Sequence, residues 1–266
     1  MQIVSSVLNL ASRLGGPRMA FQIQLLRWQR WKNVEREWLL LPLLADRSRV
    51  AVDVGANLGL YAGRLAQLCR KVHCFEPIPW LADDLATRLP RRGVVIHQIA
   101  LSDRAGTAEL RIPYGEAGQE MHGLSTLEDA NSFQHDVTTT RLVDCRVERL
   151  DAVVEDPIGF IKVDVEGHEL AVLRGAVGIL RRDRPTLLIE SQQLTNPDAP
   201  ASVFDFLGDL GYAGYFYERH QRRGIAEFDI GLHQHPREMR PGGLYVNNFI
   251  FTATPENAAR LPPTLD

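Results

Sequence analysis

Only three cysteines occur in the 266 residues, Cys69, Cys74 and Cys145. They are odd in number and lack both the short paired spacing of a zinc site and the even framework of a secreted scaffold. A reducing cytoplasm is the compartment this predicts. Excess charge is also missing: 30 Lys and Arg stand against 33 Asp and Glu, a net charge of -3. Phosphate backbones call for a clustered basic face, so no nucleic acid partner is expected. No apolar run is long and uncharged enough to span a bilayer, so no transmembrane segment is expected. The opening stretch MQIVSSVLNLASRLGGPRM has no basic segment ahead of its short apolar run and no small-residue cleavage site, which argues against a signal peptide. It reads as a capping helix, with a membrane-surface helix carrying Arg13 and Arg18 on its polar side as the alternative. Internal repeats and low-complexity tracts are absent.

What is present is a hydrophobic content of 45%, enough for a sizeable core. Leu25, Trp28, Trp31, Trp38 and Leu41 are spaced as one or two helices broken at Pro42. That Trp-rich stretch is a cap or, equally, an interface, so a homo-oligomer is possible. From Ser48 the period changes. SRVAVDVG, KVHCFEP and GVVIHQIAL read as strands, NLGLYAGRLAQLCR and IPWLADDLATRL as the helices between them, a pattern that makes right-handed βαβ crossovers and a parallel sheet. GTAELRIPYG and RLVDCRVERLDAVV look like antiparallel strands flanking a polar loop, 115–140, of the length of a lid or substrate site. The alternation resumes with a strand at 159–165, a helix from His168 to Arg181, a strand at 185–191, a helix from Ala201 to Leu210, and late strands near 212–218 and 244–252. The count is seven strands, the last two forming a hairpin. The expected division is a helical extension at 1–47, one α/β domain at 48–254 and a tail at 255–266.

The loop VDVGANLGLYAG joins the first strand to the first helix, and residues without Cβ atoms let a ligand approach backbone. In dinucleotide folds this loop reads G-x-G-x-x-G. Here Gly55 and Gly59 are kept while Asn57 takes the middle place, which weakens a phosphate cradle and suits a ligand bearing a carboxylate, an amine and a sulfonium. Asp53, just before the loop, is placed to hold such a cation. Glu76 lies 21 residues beyond Gly55 at a strand end, where an acidic side chain accepts both hydroxyls of a ribose. Ser102 and Asp103 end the third strand and are placed to reach an adenine edge, although Asp103 near Gly106 serves equally as a turn residue.

VAVDVGANLGLY, CFEPIP, IALSDRAG, LSTLE, FIKVDVEGHELAVLRGA and RPTLLIE, taken in this order and spacing, resemble the FkbM-type S-adenosylmethionine-dependent methyltransferases from about Arg49 to Glu190. The resemblance implies an α/β class I methyltransferase (Rossmann-like) three-layer sandwich. It also implies S-adenosylmethionine as cofactor and O-methylation of a hydroxyl on a sugar, polyketide or other secondary metabolite.

On such a sheet the strand from Phe160 lies beside the first, across the switch point where strand order reverses and ligands bind. Lys162, Asp164 and Glu166 would share one side of it, because side chains alternate with period two. Charges threaded through a buried strand need partners. Asp164 is expected to position cofactor or acceptor, and Glu166 and His168 are the candidates for taking the acceptor's proton. His168 would open a helix, whose dipole favours a neutral imidazole. Glu190, ending the next strand, could complete with Asp164 and Glu166 an oxygen site for a divalent metal, which is not favoured over hydrogen bonding to acceptor hydroxyls. His122 and Ser125 in the long loop are placed to face the acceptor, a small molecule or glycosyl group. Two rivals stay open: a nicotinamide-dependent oxidoreductase, and a subunit that binds the nucleoside without catalysis.

Overall fold

The computed structural model describes residues 15–28, 35–115, 118–128, 139–240 and 242–265. Expectations for the opening segment with Arg13, for Trp31 and for 129–138 lie outside the described residues. Helix α1 includes residues 15–28 and is followed by α2 (Arg36–Leu44), which carries Pro42 within it. The chain then alternates through β1 (Val50–Val54), α3 (Leu60–Leu68), β2 (Lys71–Phe75), α4 (Pro79–Arg88) and β3 (Val94–His97). A side sheet follows, from β4 (Ala100–Leu101), β5 (Gly106–Tyr114) and β6 (Thr139–Glu148) in the order β4-β6-β5. After α5 (Leu150–Val153) come β7 (Ile158–Val163), α6 (Glu169–Arg174), α7 (Val177–Asp183), β8 (Thr186–Glu190), α8 (Ala201–Asp209), β9 (Ala213–Glu218), β10 (Gln221–Gly224) and β11 (Asn248–Thr252).

The main sheet has eight strands in the order β10-β9-β11-β8-β7-β1-β2-β3. From β3 to β8 all neighbours are parallel, and β11 is antiparallel to both β8 and β9. All five residues of β1 and all six of β7 are buried, as parallel strands covered on both faces must be. Side-chain alternation divides the core in two. Val52, Val54, Ile161 and Val163 pack with α6, α7 and α8 on one face, while Ala51, Phe160 and Leu188 pack with α1 to α4 on the other. This is the three-layer sandwich the sequence implies, and Trp38, Leu41, Phe21 and Leu25 make the N-terminal helices part of its second layer.

Four details depart from the expectations. The eighth strand, β10, is polar (QRRG), and an edge strand needs no apolar face to pair. It forms the hairpin with β9 across Arg219 and His220, both with positive φ, so the hairpin is β9–β10; β11 pairs with β9 only after a long excursion. The stretch from His168 to Arg181 is two helices, interrupted at Gly175, where a Cβ would sit 2.0 Å from the Ser102 carbonyl oxygen. Residues after Thr254 are packed rather than trailing: Leu261 is buried, and the Tyr217 hydroxyl donates to the Pro262 carbonyl at 2.8 Å.

Candidate active site

β7 ends at Val163, so Asp164 and Glu166 lie beyond the strand and Glu166 takes a positive φ of 50°. The expected common side for 162, 164 and 166 therefore fails at Glu166, because period-two alternation stops where the strand stops. Gly55, with φ 77°, is the reason the β1 loop can cross this end: a Cβ there would meet the Asp164 carbonyl oxygen at 1.9 Å. Asn57 adopts φ 46°, a left-handed conformation that asparagine tolerates better than most residues. Its backbone N–H donates to Glu76 Oε2 at 2.8 Å, and the Ile78 N–H donates to Glu76 Oε1 at 2.9 Å. The glycine-type loop and the acidic strand end, 19 residues apart, are thus one hydrogen-bonded unit. Burial pushes the Glu76 carboxyl up to about 7 despite those two amides.

Gly55, Asn57, Glu76, Asp164, Glu166 and His168 line one cleft of about 630 Å³, mouth included. Ile78, Ile99, Leu101 and Leu127 give it an apolar side. Ligand sites typically combine such walls with a few convergent polar groups. Residues 118–128 border it through His122 and Ser125, and this segment is pinned by Thr126, whose hydroxyl donates to the Glu166 carbonyl at 2.7 Å. Three polar atoms of lining residues, Asn57 Oδ1, His122 Nδ1 and Ser125 Oγ, are buried without a hydrogen-bond partner. Buried polar atoms are rarely left so, and a ligand in the cleft would be their natural partner.

Other predicted residues lie elsewhere. Asp53 is not on the cleft wall. In register with Lys162 and on the same face as Ala51, it is buried beneath α3, and burial, opposed by the Lys162 charge, raises its carboxyl to about 7. Gly59 packs against Leu85 of α4 and Phe21 of α1. Ser102 does not line the cleft; its hydroxyl is 2.9 Å from His168 Nε2, and exposed Asp103 accepts from that hydroxyl at 3.3 Å. His168 is held at its other nitrogen, Nδ1, by Glu128 Oε1 at 2.6 Å.

The charged end of β7 is a compact wall. Lys162, 1% exposed, points its ammonium to Asp164 Oδ2 at 3.5 Å and Glu190 Oε2 at 4.0 Å, and lies 5.0 Å from the Tyr61 ring centre. Burial works against the lysine's charge, but Asp164 and Glu190 hold its pKa above the usual value. Burial and the Asp164 charge push Glu166 up to about 9 and Glu190 well above the carboxylate range. Asp164, Glu166 and Glu190 bring oxygens within 4.8 Å of one another, a grouping able to hold a cation, yet the lysine ammonium already sits against two of the three. Sequence reasoning missed Glu128, Tyr61 and Gln192 as site residues; Glu128 and Tyr61 close the blocks LSTLE and VAVDVGANLGLY, but the partners that give them a place in the site lie far along the chain.

Strand order, glycine-type loop, acidic end of β2 and charged end of β7 together define a Rossmann-like fold of the class I methyltransferase type. The chain belongs to the Methyltransferase FkbM domain family, whose model matches residues 53–213, and that family implies S-adenosylmethionine as methyl donor. No curated protein matches the sequence significantly. Solved structures similar to it include a methyltransferase FkbM from Methylobacillus flagellatus KT, 16% identical with TM-score 0.49, aligned over 91% of this chain and 57% of that one. The chain thus spans little more than half of that protein's length. Others are an rRNA methylase from Streptococcus thermophilus (14% identity, TM-score 0.42, 81% and 91% covered) and a precorrin-6y C5,15-methyltransferase from Geobacter metallireducens GS-15 (13%, 0.39, 81% and 84%). Among the described residues no helix is long and apolar enough to cross a membrane.

Proposed function

We propose that this chain is an S-adenosylmethionine-dependent O-methyltransferase acting on a hydroxyl of a sugar or secondary-metabolite acceptor. The observation that carries the reading is that Glu76 and the Asp164–Glu166 pair border the same cleft, with unsatisfied polar atoms around it. Glu76, braced by the Asn57 and Ile78 amides, is the group to hold the ribose diol. Ile99 and Leu101 offer an apolar wall to the adenine, and the acidic end of β7 suits the cationic end of the molecule. When bound, S-adenosylmethionine supplies an electrophilic methyl group on a sulfonium.

The protein's own task is then to hold an acceptor hydroxyl at near-attack distance and to take its proton. Glu166, its carboxyl held up to about 9, keeps its proton at neutral pH and serves as a hydrogen-bond donor, while burial and the Asp164 charge raise Glu190 as well. Asp164, facing the cleft with the Lys162 ammonium beside it, is the carboxylate assigned to orient the hydroxyl and accept its proton. His168, with both nitrogens engaged, ties Glu128 to Ser102 across the cleft's edge and acts as a positioning residue. No step in this scheme needs a metal.

Incubation with methyl-labelled S-adenosylmethionine and a panel of hydroxylated acceptors, followed by mass spectrometry with and without chelator, tests this. Gain of one methyl on oxygen, insensitive to chelator, is expected. Label found in RNA, or nicotinamide turnover without methyl transfer, would overturn the reading.

A further inference from the structure

Charge is unevenly placed along this chain. Its net charge is -3, yet residues 1–34 contain Arg13, Arg18, Arg27, Arg30 and Lys32 and no Asp or Glu. An acid-free, basic opening of this kind points to an anionic partner. Helix α1 is the part of it that the structure places. Its inner side is fixed by Phe21 and Leu25, which pack onto Gly63 of α3, where a Cβ would come to 2.7 Å from each of them. Its outer side is apolar too. Met19, Ile23 and Leu26 are spaced i, i+4 and i+7 and so form one stripe, turned away from Phe21 and Leu25. Met19 is 45% exposed and Leu26 62%, the most exposed of the large apolar side chains among the described residues. A helix apolar on two sides has two faces to cover, and the fold covers one.

Cations surround the open stripe. Arg27 adjoins Leu26 in sequence, and Gln22 accepts at 2.9 Å from Gln67 of α3, which in turn accepts from Arg64. Near the start of α1, Arg18 and Arg91 border a shallow hollow against α4 with Asp83, and exposed Arg92 follows. Asp84 is taken up by Arg88 at 2.8 Å, so Asp83 alone offsets the other arginines named. We propose that this face docks the protein on an anionic lipid membrane, with the stripe at the apolar boundary and the arginines among the headgroups. The proposal goes beyond the methyl-transfer reading and does not rest on it. A second copy of the chain is the poorer occupant, because an isologous contact would set the basic patch against itself. A nucleic acid would use the cations and leave the stripe in water. A lipid surface takes both, since basic amphipathic helices bind through buried apolar area together with attraction to anionic headgroups.

Flotation of the full chain with vesicles of phosphatidylcholine alone, and of phosphatidylcholine mixed with phosphatidylglycerol, tests this. Binding to the anionic vesicles is expected to be about tenfold tighter or more, and to weaken as salt is added. Leu26→Glu alters a side chain already in solvent, and should weaken that binding about tenfold or more while the thermal midpoint and S-adenosylhomocysteine affinity stay at wild-type values. Arg91→Glu combined with Arg92→Glu lies outside α1, and should remove most of the preference for anionic vesicles without changing what binds to neutral ones. No preference for anionic vesicles in the wild type, or binding unmoved by either variant, would overturn the proposal. So would a wild type that stays off vesicles but sediments as a dimer dissociated by Leu26→Glu, or one that instead holds RNA through Arg91 and Arg92 with Leu26→Glu without effect.

Discussion

Replacing Lys162 by Met keeps the aliphatic stem and removes the ammonium from between Asp164 and Glu190, 3.5 and 4.0 Å away. With an effective dielectric near 20, the attraction to Asp164 alone is worth about 5 kcal/mol, of which desolvation of the lysine cancels a large part. Breaking a buried pair by removing one partner costs about 3–5 kcal/mol, because the other charge is left behind. That cost need not be met at every pH, since a carboxyl can escape it by binding a proton. Asp53, Glu76 and Glu169 sit at about 7 and Glu166 at about 9, against 3.8 or 4.5 for the free groups. Between those limits the folded chain holds more protons than the unfolded one, so stability is greatest at the acidic end of the window and falls as pH rises through it. Lys162 lowers the carboxyls of Asp53, Glu166 and Glu190, so the Met variant raises them further and steepens that fall. Urea unfolding followed by circular dichroism should show a loss of about 3–5 kcal/mol near pH 8.5 and about 1 kcal/mol near pH 6. An equal loss at both, or a larger one in acid, would refute the picture of an ammonium compensating buried carboxylates.

Glu76→Gln leaves one acceptor oxygen facing two amide donors, and should weaken S-adenosylhomocysteine binding by about 10- to 100-fold in calorimetry; affinity within threefold, on the order of ordinary scatter, would remove Glu76 from the site. Gly55→Ala places a methyl against the Asp164 carbonyl in a left-handed backbone, and should cost about 1–3 kcal/mol in thermal unfolding while displacing the cleft wall. Glu128→Ala frees His168 Nδ1 and loosens the 118–128 segment, and stopped-flow fluorescence should show S-adenosylhomocysteine leaving several-fold faster, with acceptor turnover altered less. S-adenosylmethionine carries one more positive charge than S-adenosylhomocysteine, so its binding should expel more protons from the raised carboxyls near neutral pH. Calorimetry in buffers of differing ionisation enthalpy measures this, and equal release by the two ligands would refute it.

The parallel half of the sheet was legible because strands covered on both faces must be nearly unbroken aliphatic runs, and VAVDV, KVHCF and FIKV meet that condition around isolated charges. The union of Gly55, Asn57 and Glu76 was legible for a related reason, since a tight turn and a strand end impose residue types at fixed separations. Asp53 shows the limit of such reasoning. Its chain position is beside the loop, but it shares the face of Ala51, so alternation carries its side chain under α3 and away from the cleft. Ser102 and His168 were flagged separately, and nothing local announces that they meet each other and Glu128. β10 escaped notice because pairing at a sheet edge is backbone chemistry, to which QRRG offers no side-chain pattern.

The charges in FIKVDVEGHEL follow from what the floor of a reaction cleft requires. If a donor in the cleft and an acceptor hydroxyl are to react, they must meet at near-attack distance with no side chain between them. The carboxyl end of β7 lies at that cleft, with the end of parallel β8 beside it. An end of apolar side chains could neither orient a hydroxyl nor take its proton, so it carries Asp164, Glu166 and Glu190. Three acidic groups so near one another cannot all be ionised out of water, and the fold answers with a buried cation beneath them, with a proton retained on Glu166 and with the Glu190 carboxyl raised. Lys162 is therefore as much a part of the proposed reaction surface as the carboxylates above it, although at 1% exposed it need touch neither substrate.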